Sequence, residues 1–304
     1  MNYLVVHRTH YRYAGTVTRC CNEAHLHPRE TPTQHCLAHR LEVEPEAATW
    51  GERIDFFGNP ATDFTVDGPF EDLVVIATSR VDVVEGTPPP DGGPAWEEAR
   101  DWIAADRTPT GLDARQYCFD SPLVRVEPDL HAYALGSFGA GRPLIDGVRD
   151  LAARIHAEFR YEPGFTTVST PLADVLRHRR GVCQDFAHLA IACCRAVGLS
   201  ARYVSGYLET EPPSGGQRLT GADASHAWAS TFVPGWGWFD IDPTNDRVAG
   251  VSYVTTAWGR DYSDVSPLRG VVFGGGPTQS LEVSVDVVRL PPTGPPAPTR
   301  PSRR

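Results

Sequence analysis

The sequence predicts an α+β chain, with an antiparallel β domain first and then helices that give way to a second set of strands. Three observations carry this prediction. Short runs of alternating or purely apolar residues fill Tyr3 to about Val84, apolar residues recur at helical steps from Leu144, and strand-like runs return after Ala201. Helices and strands segregated along the chain, rather than alternating as βαβ units, define the α+β class.

In the first region Leu41-Glu42-Val43-Glu44 and Val81-Asp82-Val83 alternate, and Leu73-Val74-Val75-Ile76-Ala77 is apolar throughout. Gly58-Asn59-Pro60 and Asp67-Gly68-Pro69 supply turns. The run Thr87-Pro88-Pro89-Pro90-Asp91-Gly92-Gly93-Pro94 is too rich in proline and glycine for a regular element and reads as a linker. It divides the chain into an N-terminal β domain, residues 1–90, and a second domain, residues 91–290. Beyond it Leu144, Val148, Leu151, Ile155 and Phe159 share a helical face, Pro171 to Leu176 opens a short helix, and Cys183 to Val197 forms a third that Gly198 terminates. Strands follow at 201–207, 226–233 and 237–242, then a last one at 281–287. The Pro-, Thr-, Ser- and Arg-rich tail, residues 291–304, is expected to be disordered.

Composition narrows the function. The chain has 304 residues, of which 41% are hydrophobic, enough for a sizeable core and against wholesale disorder. A net charge of −10 disfavours a phosphate-tracking surface, so nucleic acid is not an expected partner. The first residues lack a basic start followed by an apolar block, and no uncharged apolar stretch approaches membrane-spanning length. The expectation is a cytoplasmic chain with no membrane contact. Its seven cysteines include no CxxC pair, so free thiols are expected.

One of those thiols stands apart. Cys183 follows Gly181-Val182 at a helix start, where the positive end of the helix dipole and unpaired N–H groups favour a thiolate. Taken alone, a small cysteine packing a helix end is the more common case, and the reading is then core. A nucleophile also needs an imidazole in reach and a group to orient it. His188 lies about 140° around the helix from Cys183, so its ring points elsewhere. His226 opens a strand, and Asp242 ends the next one after the turn Pro234-Gly235-Trp236-Gly237. Two antiparallel strands so joined set His226 beside Asp242.

Gly181-Val182-Cys183-Gln184-Asp185-Phe186-Ala187-His188, Gly198-Leu199-Ser200-Ala201-Arg202-Tyr203-Val204-Ser205-Gly206-Tyr207, His226-Ala227-Trp228 and Asp242-Pro243-Thr244-Asn245 resemble the core of bacterial transglutaminase-like proteins, a papain-related superfamily. The resemblance spans roughly residues 155–247. Tyr11-Arg12-Tyr13, His27-Pro28-Arg29 and Phe56-Phe57-Gly58-Asn59 look like the β-rich N-terminal domain that accompanies this core in bacteria. The resemblance implies a β-sandwich-like domain followed by a papain-like core of helices packed on an antiparallel sheet. It also implies a Cys183, His226 and Asp242 triad with no cofactor. Cys183 would be the nucleophile, His226 the base and then acid, and Asp242 the group that holds the ring. The backbone N–H of Cys183 and one side chain, for which Tyr161 is the nearest equivalent, would stabilise an oxyanion.

The neighbouring residues have plainer readings. Asp185 suits a helix cap, and Gln184 either lines the pocket or is a solvated amide. Trp228, Trp236 and Trp238 either wall a substrate groove or pack, and Cys193 and Cys194 read as core thiols. Arg202 and Tyr203 belong to the motif without a chemical role. His25 and His27 would share a strand face near Cys20, Cys21 and Cys36, but without metal-ligand spacing no metal is expected.

The implied reaction is thiolate attack on the amide carbonyl of a peptide or protein, through a thioester that water resolves in a peptidase or amidase. An amine acceptor would make it a transglutaminase. Peptide N-glycanase chemistry and an inactive scaffold with the same fold are the remaining readings. Iodoacetamide at neutral pH should alkylate Cys183 before the six other thiols, as read by peptide mass mapping; equal labelling of all seven would contradict a thiolate at that position.

Overall fold

A computed structural model describes residues 1–209 and 224–291 of the chain. Beyond Pro291, the tail expected at 291–304 lies outside the described residues. Four strands come first: β1 (Asn2–Ala24), β2 (Gln34–Glu44), β3 (Thr49–Ile54) and β4 (Pro60–Val83). Helices α1 (Trp96–Ala105), α2 (Pro109–Arg115), α3 (Pro128–Leu135) and α4 (Leu144–Glu158) follow. Two short strands, β5 (Arg160–Tyr161) and β6 (Arg180–Gly181), bracket α5 (Leu172–His178). The helix α6 (Cys183–Ala196) leads into β7 (Ala201–Leu208), β8 (His226–Val233), β9 (Gly237–Asp242), β10 (Arg247–Val248) and β11 (Tyr253–Gly259). A short α7 (Tyr262–Val265) precedes β12 (Leu268–Gly274) and β13 (Gln279–Arg289).

β1 and β4 pair antiparallel from Asn2 opposite Asp82 to Ala24 opposite Thr62. Strands of 23 and 24 residues are several times the usual length, so they must bend, and their register breaks between Arg12 and Val17. The half that begins at Asn2 is flanked by β13 and β2; the half that ends at Ala24 is flanked by β12 and β3. Val75 and Ala77 from one half meet Cys20, Phe64 and Val66 from the other in a single core. The antiparallel sheet therefore closes on itself as a sandwich, and the alternating burial along β4 is the pattern that this requires.

The flanking strands correct the expected domain limits. The second domain expected at residues 91–290 includes residues 268–289, yet β12 and β13 pair with β1 and complete the first sheet. Local alternation shows that a segment is a strand but carries no information about which edge it joins, and β1 had an edge to cover. His25 and His27 are also corrected: β1 ends at Ala24, so both lie past the strand rather than along one face of it. His25 sits between Glu23 and Asp55 at 3.4 Å from each, and His27 stacks on His39 at 4.3 Å. All seven cysteines are free.

The second domain is a five-stranded antiparallel sheet, β10-β9-β8-β7-β11, with α6 lying across β7 and β8. α6 is buried from Asp185 to Arg195, far beyond one apolar stripe, because α3, α4 and α5 cover the side facing away from the sheet. It ends as its sequence directs: Gly198 takes φ 82°, where a side chain is unfavourable, and the N–H of Leu199 returns to the carbonyl of Cys194.

The two domains meet at β11, an edge strand whose outward backbone groups need partners. Arg29 N–H donates to the Thr255 carbonyl, and the Gln34 side-chain amide both donates to that carbonyl and accepts from the Thr255 N–H. Asn59, fully buried, does the same at Trp258, donating to its carbonyl and accepting from its N–H, each at 2.9 Å. Two side-chain amides thus continue the ladder in place of a strand. Arg29 and Arg202 stand 3.5 and 3.8 Å from the Trp258 ring centre, distances that only opposite faces can accommodate, and Arg202 is also 4.0 Å from Trp238. This junction gives Arg29, Asn59 and Arg202 a task that sequence alone did not offer. Asn59→Ala strands a buried N–H and a buried carbonyl and should lower unfolding stability by about 3 kcal/mol in urea titration; a loss under about 1 kcal/mol would mean that the junction does not depend on this amide.

Candidate active site

Cys183 is the first residue of α6. Val182 precedes it without a side-chain cap, and Asp185 fills that role: its Oδ2 accepts from the Val182 N–H at 2.8 Å and from Thr166 Oγ1 at 2.6 Å. Burial raises the Asp185 pKa against both hydrogen bonds. Asp185 is therefore a cap and loop anchor, as its sequence position suggested. The first helical bond runs from Phe186 N–H to the Val182 carbonyl, so the N–H groups of Cys183, Gln184 and Asp185 have no intrahelical partner. They project from the helix end beside a half-buried sulfur.

β8 and β9 bring the other two residues together. The register pairs Ala229 with Ile241, which by continuation sets Asp242 opposite Trp228. His226, two residues from Trp228 and on the same face of β8, is then Asp242's diagonal neighbour. His226 Nε2 lies 2.8 Å from Asp242 Oδ2, with both side chains wholly excluded from solvent. The other ring nitrogen, Nδ1, is buried and makes no hydrogen bond of full geometric quality, while Cys183 acts on the same ring through its charge and through side-chain hydrogen bonding. Burial opposes charge on His226, but Asp242 and then Cys183 outweigh it and raise its pKa to about 10.

The carboxylate is held from five directions. Oδ2 also accepts from Asn245 Nδ2 at 2.7 Å and from the Tyr253 hydroxyl at 2.9 Å, while Oδ1 accepts from the N–H groups of Thr244 and Asn245. Burial alone would raise the Asp242 pKa; His226, Asn245 and Tyr253 reverse this and hold it below the ordinary carboxylate range. Asn245 stood in the sequence motif without a role, and Tyr253 was not singled out. No local signal marks Tyr253, because it arrives from β11, two strands away from β8 in the sheet.

The remaining sequence candidates fall in different places. β5 and β6 pair in parallel with Tyr161 opposite Gly181, which brings Tyr161 level with the residue two before Cys183; its ring packs 6.4 Å from Phe186. Gln184 Nε2 donates to the Val168 carbonyl at 3.5 Å. Trp228 is fully buried, its ring 6.3 Å from His226 and 5.3 Å from Tyr253. Gly206 makes room for it: a Cβ there would meet the Val254 carbonyl oxygen at 2.0 Å and the Trp228 ring at 2.7 Å. His188 does turn away. Its Nε2 accepts from the Tyr262 N–H at 3.1 Å, and burial lowers its pKa to about 4. Tyr203, also without an assigned role, is near enough to Cys183 that the thiol's charge, after burial, is the next largest influence on its hydroxyl. Among the described residues, no cluster of three or more His, Cys, Asp or Glu could hold a metal ion, and no helix is long and apolar enough to cross a membrane.

A buried helix across an antiparallel sheet, with a cysteine at its tip and a histidine and aspartate on adjacent strands, defines a papain-like α+β architecture. The chain belongs to the transglutaminase-like superfamily: that family's model matches residues 133–243, and the model of the bacterial transglutaminase-like N-terminal region matches residues 3–82. An uncharacterized protein of Mycobacterium tuberculosis is 44% identical over 300 residues, covering 94% of this chain and 92% of the relative. A second, from Mycobacterium leprae, is 34% identical over 288 residues, covering 94% and 98%. A protein-glutamine gamma-glutamyltransferase of Pseudomonas aeruginosa is 33% identical over 102 residues, which are 31% of this chain and 15% of that protein. Among solved structures, a candidate cysteine protease of Cytophaga hutchinsonii superposes with a TM-score of 0.71 at 22% identity, covering 94% of this chain and 90% of that one.

The sign of the His226 shift sets a pH dependence. An imidazole near 6.5 when unfolded and near 10 when folded contributes stability that is complete below about pH 6.5 and lost as pH rises through about 10. Urea midpoints measured from pH 6 to 10 should therefore fall more steeply for the natural chain than for His226→Gln; parallel curves would contradict a charged ring at His226.

Proposed function

We propose that the chain is a cysteine-dependent amide-bond enzyme in which Cys183, His226 and Asp242 act as a triad and water completes the reaction. The observation that carries this is the wholly desolvated His226–Asp242 pair beside the half-buried thiol at the start of α6. An imidazole whose basicity is raised by a fixed carboxylate takes the proton of Cys183, and the helix end favours the resulting thiolate. The thiolate attacks the carbonyl carbon of a peptide or protein amide, and the oxyanion is met by the Cys183 N–H with Tyr161 as the side-chain donor. As the C–N bond breaks, the imidazolium of His226 gives its proton to the departing amine or ammonia. Water then attacks the thioester, His226 takes its proton, and a carboxylic acid leaves as the thiolate returns. Asp242 fixes the ring orientation and stabilises its charge.

The partial exposure of Cys183 favours water as the second nucleophile, since a site that excludes it is needed for transfer to an amine. The local similarity to a protein-glutamine gamma-glutamyltransferase supports the second reading, acyl transfer from glutamine to a primary amine. Mass spectrometry of a glutamine-containing peptide incubated with the protein, with and without a primary amine, separates the two. Hydrolysis yields fragments or a gain of about one mass unit, and transfer yields an amine adduct. Cys183→Ala should abolish either product, and Asp242→Asn should lower turnover by about 10³-fold or more while leaving the circular dichroism spectrum unchanged. Turnover unaffected by Cys183→Ala would end this reading.

A further inference from the structure

A cavity of about 630 Å³ opens between the two domains. Its floor is the second-domain sheet, through Trp228, Trp236, Trp238 and Tyr253, and one wall is the extended segment that leaves β4, residues 83–89. The charged residues lining it are Glu85 and Asp240, and no lysine or arginine faces it among the described residues. The Asp240 carboxyl receives a 3.4 Å bond from Trp228 Nε1 at Oδ2, and Ser230, opposite Asp240 in the β8–β9 register, bears on it through its hydroxyl. Burial raises the Asp240 pKa, which Arg202 partly offsets. Arg202 itself is stacked on Trp238 and Trp258 and forms no ion pair with Asp240 among the described residues. A cavity with aromatic walls and with Glu85 and Asp240 as its charged lining is suited to a guanidinium and to proline rings, both of which stack on indole faces.

A segment with that chemistry leaves the described chain close by. The Leu290 N–H donates to the Asn2 carbonyl, Asn2 pairs with Asp82, and Val83 begins the cavity wall. The exit at Pro291 is thus two strand spacings, about 10 Å, from that wall. Residues 292–304 contain five prolines, arginines at 300, 303 and 304, and no acidic residue. Thirteen residues at about 3.1 Å each reach roughly 40 Å, ample for the distance. We propose that this cavity is a binding site for the chain's own proline- and arginine-rich segment, residues 292–304, with its arginines drawn to the acidic Glu85 and Asp240 and its prolines on the half-buried Trp236 and Trp238. Cys183 does not line the cavity, although Trp228 and Tyr253 are shared with the candidate active site, and the proposal does not depend on the proposed reaction.

The test compares the full chain with a chain ending at Pro291, using a synthetic peptide of residues 292–304 and intrinsic tryptophan emission. The shortened chain should bind the peptide saturably, with a change in emission that weakens as salt is added. The full chain, already occupied, should bind it at least about tenfold more weakly, and its own emission should match that of the peptide-saturated shortened chain. A peptide with Arg300, Arg303 and Arg304 replaced by alanine should lose about tenfold in affinity or more, a comparison that requires no altered protein to fold. Asp240→Asn in the shortened chain should weaken binding similarly. Absence of saturable binding, equal binding by the full and shortened chains, or equal affinity for the alanine peptide would each overturn the proposal. Peptide competition that appears only at concentrations where the full chain self-associates in sedimentation would instead place the segment in a second copy, and would overturn the intramolecular form.

Discussion

The arrangement of the second domain depends on keeping one imidazole–carboxylate pair out of water. Moving two charges into a protein interior is costly, and their attraction offsets that cost only where every remaining lone pair and proton is matched. Asp242 meets this condition with five donors drawn from β8, the turn after β9, and β11. His226 meets it on one side with Asp242, while Nδ1 on the other side is left without a formed hydrogen bond and is influenced by Cys183 at the tip of α6. The order of the sheet is therefore inseparable from the site. β9 supplies the carboxylate, β8 the ring and β11 the hydroxyl that steadies both.

The same edge strand couples the two domains. β11 presents Tyr253 toward Asp242, while its other outward groups at Thr255 and Trp258 are matched by Gln34 and Asn59 from the first domain. Arg29 and Arg202 clasp the Trp258 ring from opposite faces, and Arg202 extends the stack to Trp238. Guanidinium groups tolerate such burial because their charge is delocalised and their flat faces are weakly hydrated. The N-terminal sandwich is thus part of what holds β11 in place, and through β11 it bears on the orientation of the buried carboxylate.

Much of this could be read along the chain, for reasons that differ by residue. Cys183 could be placed at a helix start because Gly181 and the following apolar periodicity are local features, and the His226–Asp242 pairing followed from two strand patterns separated by a short turn. His188 could be set aside by helical angle alone. The roles of Asn59, Gln34, Arg29 and Arg202 were not legible, since their partners lie far off in sequence: Gln34 bonds across 221 positions and Asn59 across 199. The destination of β12 and β13 was hidden for the same reason.

By itself the sequence determined the α+β class, the strand and helix periods, the cap at Gly198, the place of Cys183 at a helix start and the pairing of His226 with Asp242 across a short turn. Each of these is set by steric preference or hydrophobic spacing within a few neighbouring residues. Only the tertiary structure decided that the C-terminal strands return to complete the N-terminal sandwich, that Tyr253 shares in holding Asp242, and that two side-chain amides cap β11. Those outcomes depend on which unpaired backbone groups and buried charges remain once the local elements exist, and such demands are met by whatever residue the folded chain carries into reach.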